Sequence, residues 1–465
     1  MSYITKYPFL VVFILGLIWI KLTSLAFSEF MGSVGLLVCF SLLFFVLVLD
    51  VIFRPAGIGY FLLVIFITLG FWLKLMLHLW LDYSYLEPTG LFSDSKEQWN
   101  RVLTVSMCGV AGMLITKTLS ARFLNYEEVA TDRVEAPFWY PRWRSMILIC
   151  TALSIFLIPY LNIEIGIAQS ARIPSLILPW PLNGLVAWTL SFGLISWVLT
   201  LAGWERRLGK SFILSYIAVL AEACLSAVSS MSRAIYIIHT ASYIWILTKQ
   251  VIKENKPLRI ILVTLIVWIL LFIATLYVVQ VSRYFSNSLI SAQTVSAVWE
   301  PLRTVVYLVV DRWVGLEGLM AVVAYPEKGM DLLLTAAGDR RALGELDLFT
   351  AEIAKISLSD EVLRQVQYAS IPGAIAFFYY SGSLTIVFFG LAVLTAILIF
   401  STNFVFVLTN NPYLSGFWSV SMAQTISGFG LGLTQLAAFY LASMLFIAFI
   451  WLLSGGWKYN LFKSS

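Results

Sequence analysis

Long apolar runs separated by short polar connections cover most of this chain. Each run continues for about 20 residues, the length at which an α-helix crosses the hydrocarbon core of a bilayer. Apolar residues are contiguous within the runs and do not alternate with polar ones, as they would in the strands of a membrane barrel. The pattern predicts an all-α polytopic membrane protein with about twelve transmembrane helices. We place them at 8–27, 33–53, 57–81, 102–120, 145–162, 182–204, 211–230, 234–249, 259–281, 371–400, 412–428 and 432–454.

One long polar interruption, residues 282–370, follows the ninth run. It divides the chain into a nine-helix membrane portion at 1–281, a large loop expected to contain helices, and a three-helix membrane portion at 371–465. The arginines of the loop are Arg283, Arg303, Arg312, Arg340, Arg341 and Arg364. A long loop bearing arginines on one face of a many-span protein indicates a site for an anionic substrate.

Composition agrees with a membrane protein. The chain of 465 residues is 60% hydrophobic and 12% charged, which is about half the charged fraction of a typical soluble domain. The four cysteines lie inside apolar runs and share no short spacing. We therefore expect neither a disulfide nor a metal site from them.

The distribution of lysine and arginine among the connections predicts the orientation. One set of connections and adjoining helix ends holds sixteen of these residues, and the short connections on the opposite side hold four. Because positive charge favours the cytoplasmic side, both termini are expected there. The 282–370 loop then faces outward, which is the periplasm if the protein lies in the inner membrane of a bacterium.

Several ionisable residues lie inside the predicted spans, where they are costly. Lys74 is expected either to extend toward the membrane surface or to pair with another helix. Glu222 lies at mid-span and has either a functional role or a structural partner. His239 has the position of a hydrogen-bonded core histidine.

Arg233 lies in the very short connection between the seventh and eighth spans, among small hydroxylated residues. A guanidinium held at the outer end of two helices matches the geometry of phosphate oxygens. The alternative is that Arg233 anchors the helix at the interface.

Residues 298–325 have the pattern of a single helix. Polar and charged side chains fall within about a third of its circumference. This stripe consists of Glu300, Arg303, Tyr307, Asp311 and Glu317. Arg312 falls on the opposite, apolar side. The stripe either lines a cleft, with a carboxylate as general base, or is a solvated face with local ion pairs.

The chain contains no Walker loop, dinucleotide-binding glycine motif, zinc-binding histidine motif or nucleophile elbow. We therefore expect no cofactor, no catalytic metal and no dependence on a nucleotide. An activated lipid-linked donor carries its own leaving group and needs none of these.

Residues 212–400 resemble Wzy-type oligosaccharide repeat-unit polymerases, including the O-antigen, enterobacterial common antigen and exopolysaccharide polymerases. The resemblance is one of pattern. Its elements are Ser232-Arg233-Ala234, Ser282-Arg283-Tyr284, the segment 311–317, Pro372-Gly373 and Ser381-Gly382-Ser383.

The resemblance implies a GT-C-like membrane glycosyltransferase that uses an undecaprenyl-diphosphate-linked glycan as donor. Such enzymes transfer the growing chain to an incoming lipid-linked repeat unit, and a chain-length regulator (a Wzz-type co-polymerase) is an implied partner. Asp311 or Glu317 would be the catalytic base. The expected substrate-binding residues are Arg233, Arg283, Tyr284, Arg303, Tyr307 and Arg312. The alternatives are an O-antigen ligase, which transfers glycan to lipid A core, and a polysaccharide flippase or exporter without covalent chemistry.

Overall fold

A computed structural model describes residues 8–82, 84–85, 87–122, 136–170, 172–179, 181–286, 313–339, 345–356 and 370–455. All regular secondary structure in these ranges is helical. The first nine helices in these ranges are α1 (Pro8–Leu25), α2 (Val34–Phe53), α3 (Ile58–Leu81), α4 (Lys96–Ser120), α5 (Tyr140–Ile165), α6 (Leu182–Arg207), α7 (Phe212–Ser229), α8 (Arg233–Lys253) and α9 (Leu258–Ser286). They are followed by α10 (Leu316–Ala324), α11 (Met330–Gly338), α12 (Ala374–Tyr379), α13 (Leu384–Thr409), α14 (Pro412–Ser427) and α15 (Leu433–Leu453).

Two of the long helices contain a turn of π-helix. The π segments are Thr68–Leu73 within α3 and Thr189–Gly193 within α6. A third π turn, Phe349–Ile353, stands alone between α11 and α12. Such turns release backbone carbonyls from the regular helical pattern and occur frequently at functional sites.

Nine helices in the described part of the chain are long and apolar enough to cross a membrane: α2, α3, α4, α5, α6, α7, α9, α13 and α15. The predicted class, an all-helical polytopic membrane protein, is therefore confirmed. Helices α1, α8 and α14 lie where the three remaining spans were predicted. The last has 16 residues, which corresponds to about 24 Å at 1.5 Å per residue.

The tenth predicted span, 371–400, begins in the wrong place. The structure has the short helix α12, a break after Tyr379 and then the long helix α13, which extends to Thr409. Gly382 adopts a φ of 71° in the break, a left-handed conformation that glycine enters without steric cost. Ser381 and Ser383 flank this glycine, so the break divides what the apolar pattern presents as one run.

The short helices α10 and α12 are enclosed by the long ones. From Leu316 to Val322 every side chain of α10 is buried. Ile375, near the start of α12, packs against Gly109 of α4, a point about 20 Å along that helix from its first residue. Part of the segment predicted as an outer loop therefore folds back into the bundle.

The start of α10 reaches deep into the bundle because glycine allows it. A Cβ added to Gly70, in the π segment of α3, would overlap the carbonyl of Val314. Next to this contact, the ring of Trp313 stacks on Phe66 of α3, with 5.0 Å between ring centroids. Residues 313–315 are thus wedged against the middle of α3.

The prediction of one helix over 298–325 is wrong at its C-terminal part. Residues 313–315 are not helical, and α10 begins only at Leu316. The non-helical backbone at Val314 brings its carbonyl against Gly70 of α3. Residues 298–312 lie outside the described ranges.

Candidate functional site

Three helices meet at the connection between α7 and α8, at the end of the bundle predicted to face outward. Asn162 of α5 donates from Nδ2 to the carbonyl and the hydroxyl of Ser229, at 3.0 and 2.8 Å. The backbone N–H of Ser170 donates to the carbonyl of Ser230 at 2.8 Å. These bonds fix the turn that begins α8 against the end of α5.

Arg283 reaches the same turn from the last part of α9. Its Nε donates to the carbonyl of Met231 at 2.8 Å. Met231 lies two residues before Arg233, and Arg233 is the half-buried first residue of α8. The structure thus brings Arg283 to the connection that carries Arg233, although 50 residues separate them in the sequence.

Tyr284 follows Arg283 in α9, and its side chain lies outside the described part. Four further residues of the predicted site, Arg303, Tyr307, Asp311 and Arg312, also lie outside the described ranges. Their proposed roles stay predictions.

Arg233 and Arg283 are two positive side chains held near a fixed turn, and Arg283 donates to the backbone of that turn. Together they form a surface that suits an anion.

Glu317, the other predicted base, lies inside the bundle in an ion pair with Lys74. The Nζ of Lys74 is 2.8 Å from both carboxylate oxygens and donates to the carbonyl of Trp313 at 2.7 Å. The side chains are only 1% and 3% exposed. Of the two alternatives for Lys74, the structure therefore has the pair with another helix.

This pair ties residues 313–324, the part of the predicted loop that folds back into the bundle, to α3. Lys74 directly follows the π segment of α3, and Glu317 is the second residue of α10. A carboxylate in the first turn of a helix is stabilised by the helix dipole. The ammonium group of Lys74 therefore holds α10 at two points: the Glu317 carboxylate and the carbonyl of Trp313, just before the helix begins.

Glu222 and His239 form a second buried pair, between α7 and α8. His239 Nδ1 lies 2.8 Å from Glu222 Oε2, and Ser226 donates to Glu222 Oε1 at 2.7 Å. His239 Nε2 lies 3.1 Å from the carbonyl of Ser191, in the π segment of α6. Since a carbonyl only accepts, Nε2 carries a proton and donates it to the Ser191 carbonyl. A second proton lies between Nδ1 and the Glu222 carboxylate, because two lone pairs alone would not form this bond.

Both expectations for this second pair fit the structure. Glu222 has a structural partner, and His239 is a hydrogen-bonded core histidine, 1% exposed. The sequence pattern singled out each residue but gave no sign of the link between them. The connection to the π segment of α6 was also missed.

Arg101 and Lys328 form a cationic cluster that the sequence did not indicate. Arg101 of α4 donates to the hydroxyl of Tyr379 and, at 3.5 Å, to the carbonyl of Gly382. Lys328 donates to the carbonyl of Val323 at 3.0 Å and to that of Tyr325. Burial lowers the pKa of Lys328, and the charge of Arg101 lowers it further. Arg101 thus joins the end of α12 to α4, and Lys328 closes the end of α10.

The described part of the chain is thus an all-helical polytopic membrane protein with charge pairs sealed inside its bundle and arginines at one end of it. No protein-family model, curated protein or solved structure matches the chain.

Proposed function

We propose that the protein is a membrane glycosyltransferase that polymerises lipid-linked oligosaccharide repeat units, of the Wzy type, in a bacterial inner membrane. The observation that carries the proposal is the hydrogen bond from Arg283 to Met231, which places a second guanidinium at the turn of Arg233. Two arginines at one end of a helical bundle suit the diphosphate of an undecaprenyl-diphosphate-linked glycan.

The proposed architecture has twelve spans, with both termini cytoplasmic and a GT-C-like arrangement. Helices α1, α8 and α14 add to the nine long apolar helices. The case for α8 is geometric, because contacts at the α7–α8 turn link the ends of α7 and α9. A chain that leaves α7 at that end must cross the bundle before α9 begins, and α8 makes this crossing.

In the proposed reaction, a hydroxyl of the incoming repeat unit attacks the anomeric carbon of the growing chain. The bond from this carbon to the diphosphate oxygen breaks, and the hydroxyl proton passes to a carboxylate. Arg233 and Arg283 stabilise the charge that develops on the diphosphate, which is the main catalytic effect. Tyr284, Arg303, Tyr307 and Arg312 complete the binding site. No metal or nucleotide takes part.

Asp311 and Glu317 are the two candidate bases, and the contacts of Glu317 bear on the choice between them. Both carboxylate oxygens of Glu317 accept from Lys74. To act as a base, Glu317 would lose its negative charge and with it the buried ion pair with Lys74. This favours Asp311 as the base and assigns Glu317 the task of holding α10 in place.

A flippase or exporter is the second candidate, and the buried pairs favour it. Ionisable groups inside a helical bundle mark transport paths in many membrane proteins, and the His239–Glu222 pair holds a proton there. An O-antigen ligase would use the same donor chemistry with lipid A core as acceptor. Chain-length regulation by a Wzz-type co-polymerase applies to the polymerase alone.

The experiment that tests the proposal uses the purified protein in liposomes with an undecaprenyl-diphosphate-linked repeat unit. A polymerase produces a ladder of longer lipid-linked glycans, and a transporter or a ligase without its acceptor produces none. In cells, loss of a polymerase leaves single repeats on the core, whereas loss of a ligase leaves no glycan there.

Arg233→Lys and Arg283→Lys test the arginines, because lysine keeps the charge but loses the forked geometry. Each is expected to shorten the glycans, whereas Arg172→Lys, at another arginine on the predicted outer side, is expected to leave their length unchanged. Normal chain length in both Arg233→Lys and Arg283→Lys would show that these residues do not grip the diphosphate.

A further inference from the structure

An apolar groove runs along the side of α5, between α6 and α15. Its volume is about 370 Å³, which lies within the range of small-molecule sites. Among the described residues that line it, none is charged. The side chains that shape it are Met146, Cys150 and Ser154 of α5, Trp188 and Trp197 of α6, and Phe446 of α15.

The polar groups of the groove are already hydrogen-bonded. Trp188 donates from Nε1 to Ser443 of α15, and Trp197 donates from Nε1 to Thr151 of α5, each at 3.0 Å. These bonds hold in place two indole rings that line the groove. The groove therefore offers a largely hydrocarbon-like surface whose two indole N–H groups are already paired.

The groove opens away from the core of the bundle. Met146 is 54% exposed, and Cys150 is also exposed. In a chain that spans a membrane, such a groove is filled from the bilayer. The ring of Trp188 lies so close to Gly193 that an added Cβ would be 2.6 Å from it. Gly193, in the π segment of α6, thus lets this wall of the groove lie flat.

The groove leads toward the two arginines of the proposed site. Ile158 is its last lining residue on α5, and Asn162 lies one turn, about 6 Å, further along the helix. Asn162 donates to Ser229, in the turn that precedes Arg233 and receives Arg283. An apolar surface therefore lies along α5 beside a turn with two guanidinium groups. Their arrangement complements an amphiphile with a hydrocarbon chain and an anionic head.

We propose that this groove binds the first part of the isoprenoid chain of a polyprenyl diphosphate, whose diphosphate lies at Arg233 and Arg283. The identity of the lipid rests on the proposed function. The distance from Met146 to Asn162 along α5 is about 24 Å, so the groove holds only the part of a long polyprenyl chain nearest the head. The rest of the chain extends into the bilayer.

Photo-crosslinking tests the proposal on the full chain in lipid nanodiscs. The probe is a polyprenyl diphosphate with a diazirine on its first isoprene units, and peptides are mapped by mass spectrometry. The expected labels fall on the α5 and α6 residues of the groove. Unlabelled undecaprenyl diphosphate is expected to suppress them, and phosphatidylglycerol at the same concentration is not.

Two neighbouring positions on α5 provide a matched pair of variants. Cys150→Trp fills the groove and is expected to lower the labelling about tenfold, equivalent to about 1.4 kcal/mol of binding. Ile149→Trp adds the same side chain at the same height of the helix. Ile149 is 60% exposed and does not line the groove, so its variant is expected to label normally. Elution of both variants as monodisperse protein controls for folding.

Three results would overturn the proposal: labels spread over the lipid-facing surface, equal suppression by phosphatidylglycerol, or equal loss in the two variants. These results leave glycan polymerisation untouched and therefore refute the groove alone. Specific labelling of the groove in a protein that forms no glycan ladder refutes the polymerase and supports the lipid site. The wild-type mapping gives an answer even if Cys150→Trp does not fold.

Discussion

The buried pair of Lys74 and Glu317 makes the most sensitive prediction about stability. Replacing Lys74 with methionine keeps an unbranched side chain of similar length but leaves the Glu317 carboxylate without its counter-charge. The two side chains are 1% and 3% exposed, so water does not take the place of the ammonium group. Breaking a buried pair in this way costs about 3–5 kcal/mol.

The geometry sets the size of the coupling. Charges about 4 Å apart attract by roughly 4 kcal/mol at the effective dielectric constant that reproduces protein data. The bonds here are shorter, at 2.8 Å, but both ions are also desolvated. We therefore expect Lys74→Met and Glu317→Gln each to lose several kcal/mol. The loss of unfolding free energy in the double variant should be smaller than the sum of the two single losses by about 2–3 kcal/mol.

The free energy of unfolding of the wild type, the two single variants and the double variant is measured in mixed micelles titrated with a denaturing detergent. Lys21→Met is the control, because Lys21 is also a lysine within an apolar helix but its side chain is exposed. Additive losses, with a coupling below about 0.5 kcal/mol, would refute the reasoning. The pair would then not hold α10 against α3.

Three further predictions concern other contacts. Gly70→Ala is expected to cost about 1–3 kcal/mol of unfolding free energy, because the new methyl group overlaps the Val314 carbonyl; Gly184→Ala, with open space around it, is the control, and equal stability of the two would contradict the packing. Arg101→Gln is expected to raise the pKa of Lys328, whose lowering is due to burial and then to Arg101; the pH of half-maximal acetylation, followed by mass spectrometry, should rise, and an unchanged value would show that the charge does not reach Lys328. The bond from Lys256 lowers the pKa of Glu254, and Arg206 lowers it further. A carboxyl with a lowered pKa stabilises the fold above its unfolded pKa and loses this effect as the pH falls through the folded pKa. Glu254→Gln should therefore lower the melting temperature slightly at pH 7 but not in acid. A difference between wild type and Glu254→Gln that persists in acid would contradict this assignment.

The class of the protein could be predicted because membrane helices depend on local sequence. A run of about 20 apolar residues specifies a spanning helix without any knowledge of its neighbours. The break at Gly382 was also encoded locally, by Ser381-Gly382-Ser383, but the apolar residues on both sides outweighed this signal in the predicted span. The short helix α12 was missed for that reason.

The buried pairs could not be predicted, because they depend on contacts between distant parts of the chain. Lys74 and Glu317 are 243 residues apart, and the sequence offered Lys74 a route to the membrane surface as a simpler solution. Two opposite charges in apolar surroundings were the available signal, but nothing matched one to the other. The enclosed position of α10 was missed similarly, since a polar context on both sides marked it as part of a loop.

The distance along the chain between Lys74 and Glu317 has a consequence for biogenesis. Helix α3 enters the membrane long before Glu317 has been synthesised, since 243 residues separate the two. At about 5–20 residues per second, the lysine waits on the order of 10–50 s for its partner. A lone lysine disfavours membrane insertion by up to about 3 kcal/mol. Until α10 folds back and the ion pair forms, the apolar residues of α3 offset this cost.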